Sequence, residues 1–394
     1  MFTKKNTLQA KGAAAILMIC HHVLFFKDRI PTENDMSSGI KISDWDLTDI
    51  VGAFGKLCVA LFMFLGGYGL FCSWSQAKDK GSSEGFLSKK IVRLYLNYWK
   101  VFLIMVPIAF IFFGSQEQIA ADGFLSAAFC NFQIKPVISD FIMWTSSLNR
   151  EWWFYRTYLF AMFEGMIFIL AFRKRRNIYA EILTVLGYLV ITKGLLPYIA
   201  GKEGMMLSGN VWYFNLLCLD DSAAVFFIGA IFAKYDVFKS WSGLFQRFTR
   251  PEKALIGLIG ILAVGYIRTF VLPVYTEAIT APVFLMALIL LTEAVKPLGA
   301  GLGLVGRFST GIWLCHTFFC YYFVPTAKVI YCYNSAFAAV MMTLLMSLPA
   351  AVLIELFWKY TGKGAKKLRR KLIDFFTKEA PAEEGAPAEA ADPQ

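Results

Sequence analysis

Lys11 and His22 stand eleven residues apart in the first apolar stretch, Lys11-Gly12-Ala13-Ala14-Ala15-Ile16-Leu17-Met18-Ile19-Cys20-His21-His22. On a helix of 3.6 residues per turn this is close to three whole turns, so both side chains project from one face, about 16 Å apart along the axis. Such a pair can divide a reaction: the cation holds an anionic group, and the imidazole takes a proton near neutral pH. The chain has three histidines, His21, His22 and His316. His316 lies nine residues past Arg307, which predicts a depth similar to that of His22. The carboxylates expected at mid-depth are Glu164, Asp220 and Asp221, any of which could orient His22. Ionisable groups inside apolar segments default to functional candidates because burying them in a bilayer is costly. His22 and His316 also fit polar residues satisfied at a helix–helix contact. Asp220 and Asp221 also fit an outer loop, if their segment begins later.

A second basic site is Lys89-Lys90-Ile91-Val92-Arg93. Lys90 and Arg93 are three apart and therefore neighbours on a helix. At a helix start they make an anion site suited to phosphates. Plain topological charge is the competing reading. Gly301-Leu302-Gly303-Leu304-Val305-Gly306 matches GxGxxG, but no strand precedes it, so it reads as a flexible inner loop and not as a dinucleotide site. Gly66-Gly67-Tyr68-Gly69 reads as a place where helices approach closely.

The elements that must position these residues are apolar helices. Of 394 residues, 57% are hydrophobic and 17% charged, with mean hydropathy +0.55. Soluble domains carry about 25% charged residues, so the chain is expected in a membrane. The expected fold is all-α, with ten spans near 8–26, 47–74, 91–113, 152–172, 178–199, 211–233, 254–272, 279–295, 308–330 and 336–358. With the N-terminus inside, 27 lysines and arginines fall in inner segments. Only Lys27, Arg29, Lys41, Lys135, Arg150 and Lys202 fall in outer ones. That bias predicts both termini in the cytoplasm. It also explains the net charge of +11 without nucleic acid. Residues 1–358 read as one membrane domain. Residues 359–394 read as a basic, then Ala/Pro/Glu-rich disordered tail, its cluster Lys363–Lys371 lying on anionic lipid. Long outer segments are expected at 27–46 and 114–151, the second holding a short interfacial helix, with Trp152 and Trp153 in an aromatic belt. The eight cysteines show no CxxC pair and read as small core residues. No metal site is expected, and nothing resembles a cleaved signal peptide.

At these residues the chain resembles the acyltransferase family 3 membrane enzymes. The family's basic residue, ten intervening residues and histidine are matched by Lys11 and His22, with Lys where Arg is usual. Its basic-x-x-Arg motif is matched by Lys90 and Arg93. Phe62–Tyr68, Trp152-Trp153-Phe154 and the segment Gly306 to His316 resemble further family stretches in the same order. The resemblance implies transfer of an acyl group, usually acetyl, from cytoplasmic acyl-CoA to a hydroxyl of a surface or secreted glycan at the cell membrane. It implies His22 as the catalytic histidine, and Lys11, Lys90 and Arg93 as acyl-CoA-binding residues. Acyl-CoA is then a co-substrate and no cofactor is bound. Polysaccharide-synthesis proteins are candidate partners. Two other readings are a transporter or flippase of a glycan intermediate and a non-catalytic part of a polysaccharide export assembly. The absence of a transporter-type repeat weighs against the former.

Overall fold

The computed structural model describes residues 2–30, 36–112, 126–174, 177–192, 211–271 and 276–378, with side chains of 126–127, 211–222 and 363–378 outside the description. Its helices are α1 (Lys4–Cys20), α2 (Leu47–Gly55), α3 (Leu57–Asp79), α4 (Phe86–Phe112), α5 (Ile134–Phe141), α6 (Trp153–Ala171), α7 (Ile178–Val190) and α8 (Val211–Lys234). They continue as α9 (Val237–Leu244), α10 (Arg250–Tyr266), α11 (Glu277–Ala294), α12 (Lys296–Arg307), α13 (Ser309–Thr317), α14 (Val324–Tyr331) and α15 (Ala336–Lys378). The only strands among the described residues are the two-residue pair Lys41–Ile42 and Trp45–Asp46. The fold is all-α, as expected.

Among the described residues, seven helical segments are long and apolar enough to cross a membrane: Lys4–Phe25, Leu47–Asp79, Phe86–Phe112, Arg150–Ala171, Arg250–Val271, Glu277–Ala294 and Ala336–Gly362. An eighth crossing exists if α12 and α13, bent by 67° at their junction, count as one. The shorter apolar helices Ile178–Val190 and Ala223–Lys234 lie within two further stretches read as spans. The chain is a multi-pass membrane protein. Its outer surface is apolar where lipid would lie: Ile111, Ile167, Leu183, Leu262, Phe337 and Leu353 are all exposed.

Small residues let the central helices touch backbone to backbone, the usual route to helix association where no hydrophobic drive between helices exists. A Cβ on Gly12 would sit 1.9 Å from the Leu302 carbonyl oxygen, and one on Gly306 1.8 Å from that of Leu8. α1 and α12 therefore lie in direct contact along their length. The GxGxxG segment is thus a packed helix and not the flexible loop expected from its glycines; of the three, Gly306 makes the helix contact, whereas Gly301 and Gly303 face open space. A Cβ on Gly67 would likewise meet the Phe226 carbonyl at 1.8 Å, which supports the close-packing reading of that glycine group.

Among the described residues, π turns follow α1 (His21–Phe25), α10 (Ile267–Val271) and α13 (Phe318–Tyr322). Two of these adjoin the histidines. The last helix runs to Lys378, well past the expected end at 358, so the basic cluster 363–371 continues it; residues 379–394 lie outside the described residues.

Candidate active site

The first cavity is built around the π turn of α1. It measures about 310 Å³ and is lined by His21, His22, Arg29, Lys56, Arg150 and Glu151, with Phe26, Trp153 and others completing it. His22 Nε2 lies 3.6 Å from Glu151 Oε2, and Arg29 bonds the other carboxylate oxygen. At 3.6 Å the His22–Glu151 contact is an ion-pair distance and not a hydrogen bond. The Arg29 guanidinium also lies 3.8 Å from the Phe26 ring centre, and Phe26 stacks on His22. His22 is therefore flanked by an aromatic ring on one side and a carboxylate at its edge.

A π turn shifts the backbone ladder, so a carbonyl at the changeover needs another donor. The Tyr321 hydroxyl supplies it, donating to the His22 carbonyl oxygen. This ties the two π turns together. It also seats His316, whose ring centre is 5.0 Å from that of His22. His316 Nδ1 lies 2.7 Å from the Trp313 carbonyl oxygen. A carbonyl only accepts, so Nδ1 carries the hydrogen and Nε2 keeps its lone pair. Both His316 Nε2 and His22 Nδ1 are buried without a hydrogen-bond partner. His21 Nδ1 donates to the Gly52 carbonyl at 2.8 Å. Glycine at 55 permits this: a Cβ there would meet the Leu17 carbonyl at 2.4 Å and the His21 nitrogen at 2.7 Å. On a regular α-helix His21 would be rotated about 100° from the His22 face. The π turn brings both rings to the cavity, and the hydrogen bond to Gly52 distinguishes His21 from its neighbour.

Glu151 reaches the site through a connection held from below. Buried Asp140 accepts from the Ser147 and Leu148 amides at 3.0 and 2.7 Å and from the hydroxyls of Thr145 and Ser147. Tyr98 donates to the Asp140 carbonyl at 2.8 Å, fixing this connection on α4. Asn149 then caps the turn, accepting from the Glu151 amide at 3.1 Å while its own amide donates to Thr317 at 2.8 Å. Trp152 packs inward, its indole donating to the Leu314 carbonyl at 3.0 Å, so it is a core residue and not part of an aromatic belt.

The second cavity measures about 300 Å³ and collects Lys11, Lys90 and Arg93, with Asn97, Tyr158 and Thr310 among its lining. None of the three cations has an ion-pair partner among the described residues. Three unpaired positive groups in one concavity form a site for a polyanion. Phe62, Phe154 and Trp313 line both cavities. Lys11 and His22, expected on one stripe, thus open into adjoining chambers, one from the middle of α1 and the other from the π turn that follows it.

Of the three carboxylates proposed to orient His22, none does so in the described structure. Glu164 accepts from the Tyr188 hydroxyl at 3.0 Å. It is thirteen residues along α6 from Glu151, about 20 Å by helical rise. Asp220 and Asp221 lie in α8, with side chains outside the described residues. The residue missed was Glu151, because the sequence reading began the fourth span at Trp152 and left its neighbour in a loop. The available signal was a carboxylate directly beside a Trp-Trp pair at a span edge. Arg268, another charge inside an apolar segment, is structural: it bonds the Ala53 carbonyl at 2.7 Å and pairs with Glu277 at 2.9 Å.

The family model of the Acyl_transf_3 acyltransferase domain matches residues 9–356, nearly the whole chain. The chain belongs to acyltransferase family 3. It is a membrane acyltransferase, and the match spans both cavities. No curated protein and no solved structure matches it.

Proposed function

We propose that this acyltransferase moves an acyl group, most simply acetyl, from acyl-CoA to a hydroxyl of a glycan on the opposite membrane face, in the cell membrane. The observation that carries the reading is the pair of chambers on α1: three unpaired cations in one, His22 with Glu151 in the other. The phosphates of CoA suit Lys11, Lys90 and Arg93 by charge, and their chamber would face the cytoplasm, where acyl-CoA is made. Ten spans with both termini cytoplasmic fit this orientation, as does the bias of 27 inner basic residues to six outer ones.

In the reaction, His22 removes the acceptor's hydroxyl proton as its oxygen attacks the thioester carbonyl carbon. The C–S bond then breaks, the thiolate leaves, and the imidazolium returns the proton to sulfur. The products are the ester and free CoA. A hydroxyl is a weak nucleophile at neutral pH and requires such a base. Glu151 stabilises the imidazolium formed in between, as a carboxylate does beside any catalytic histidine. His22 is favoured over His316 because His22 lines the cavity, whereas His316 is fully buried behind it.

The test is release of CoA and labelling of membrane glycan from radiolabelled acetyl-CoA, in membranes carrying the protein. Labelling that needs both the protein and His22 supports the reading. A purified protein that neither binds nor consumes acyl-CoA would reject it and favour transport of a glycan intermediate.

A further inference from the structure

Three aromatic side chains, Phe62, Phe154 and Trp313, line both chambers. Phe154 and Trp313 meet edge to face at 4.8 Å between ring centres, and Tyr155 stacks on Trp313 at 4.8 Å with an angle of 10°. Trp313 is therefore clamped on two sides. Phe62 is held more loosely: its ring centre is 6.2 Å from Phe154 and 6.4 Å from Trp313, and the residue is only half-buried. It projects from α3, whereas Phe154 belongs to α6 and Trp313 to α13. One turn further along α3, the absent side chain of Gly66 makes room for the Tyr158 ring, whose Cε2 lies 2.7 Å from where a Cβ would stand.

We propose that Phe62, Phe154 and Trp313 form an aromatic partition that the acyl group must pass, and that Phe62 is its movable leaf and sets the acyl length accepted. The inference rests on the acyl-CoA reading above. CoA phosphates held by Lys11, Lys90 and Arg93 are in one chamber, and the imidazole is in the other. The thioester can meet His22 only after its acyl end and the adjoining arm pass between these rings. A flat, apolar gap admits a methyl group with little displacement. Each added methylene must be accommodated against rings fixed by Tyr155 and by helix packing, and methylene-level discrimination in an apolar slot is about ten-fold or more. Dense packing on the Trp313 side leaves rotation of Phe62 as the adjustable element.

The experiment compares kcat/KM for acetyl-, butyryl- and hexanoyl-CoA, read as CoA release in membranes, for wild type, Phe62→Ala and Phe62→Leu. The expected result is that Phe62→Ala raises the butyryl-to-acetyl ratio by about ten-fold or more, with Phe62→Leu in between and protein levels unchanged. Because a ratio is read on each variant, a general loss of folded protein does not move it. If Phe62→Ala does not accumulate, the Phe62→Leu ratio decides alone. An unchanged ratio in a variant that still consumes acetyl-CoA overturns the partition and leaves the acyltransferase reading intact. Failure of the wild type to consume any acyl-CoA overturns both.

Discussion

The Glu151 carboxylate faces His22 Nε2 at 3.6 Å while its other oxygen is held by Arg29. A carboxylate so fixed stays at the edge of the imidazole when that ring accepts a proton at Nδ1. Glu151→Gln preserves shape and removes the charge, so it is expected to lower acyl transfer by about 10²-fold or more. His22→Ala is expected to lower it by about 10²–10⁴-fold, with His21→Ala milder. Transfer from labelled acyl-CoA, with membrane levels measured in parallel, checks both; near-normal transfer by E151Q would remove Glu151 from the mechanism.

The cationic chamber predicts a different phenotype. Lys90→Ala or Arg93→Ala each removes one charge-assisted contact to phosphate, worth about 1.5–3 kcal/mol, or about ten-fold or more in acyl-CoA affinity. KM for acyl-CoA should rise while kcat changes little, and added salt should reduce the difference between variant and wild type. Wild-type KM in the double variant would mean that these residues serve topology alone.

Much of this was readable from the chain. Lys11, Lys90, Arg93 and His22 were singled out by type and helical spacing, and the first three do meet in one cavity. Helical spacing made Lys90 and Arg93 neighbours, but it was the family resemblance that grouped them with Lys11, which lies on another helix. The spacing failed at His21, where the π turn alters the phase, and at Glu151, where an extra turn precedes α6. Glu164 was ranked by depth, and depth says nothing about which way a helix faces; it bonds Tyr188. The GxGxxG segment misled because glycine signals both flexible loops and close helix contact, and only the partner helix distinguishes them.

Asp140 offers a test of how the site is supported. Its carboxylate is fully buried and accepts four hydrogen bonds that shape residues 145–148. Asp140→Ala leaves those donors unsatisfied and should cost about 3 kcal/mol or more in stability. It should also lower transfer by displacing Glu151. Thermal denaturation in detergent and the transfer assay should both register the loss, with Asp140→Asn milder in each. A variant with wild-type melting would show that the connection holds itself.

Topology can be read with membrane-impermeant thiol reagents after the exposed Cys332 is replaced by serine. A cysteine at the exposed position Phe132 should react in intact cells, and one at Ser83 only after lysis. The reverse pattern would invert the orientation and move the acyl-CoA chamber to the outer face.

α1 touches both chambers, and it is seated against α12 through Gly12 and Gly306. The segment between Lys11 and His22 therefore acts as a ruler. Substitutions along it change what it touches. A single inserted or deleted residue would rotate the imidazole by about 100° and shift it by about 1.5 Å relative to the anion-binding end. Ruler length, more than residue identity, is thus the property that this helix cannot vary.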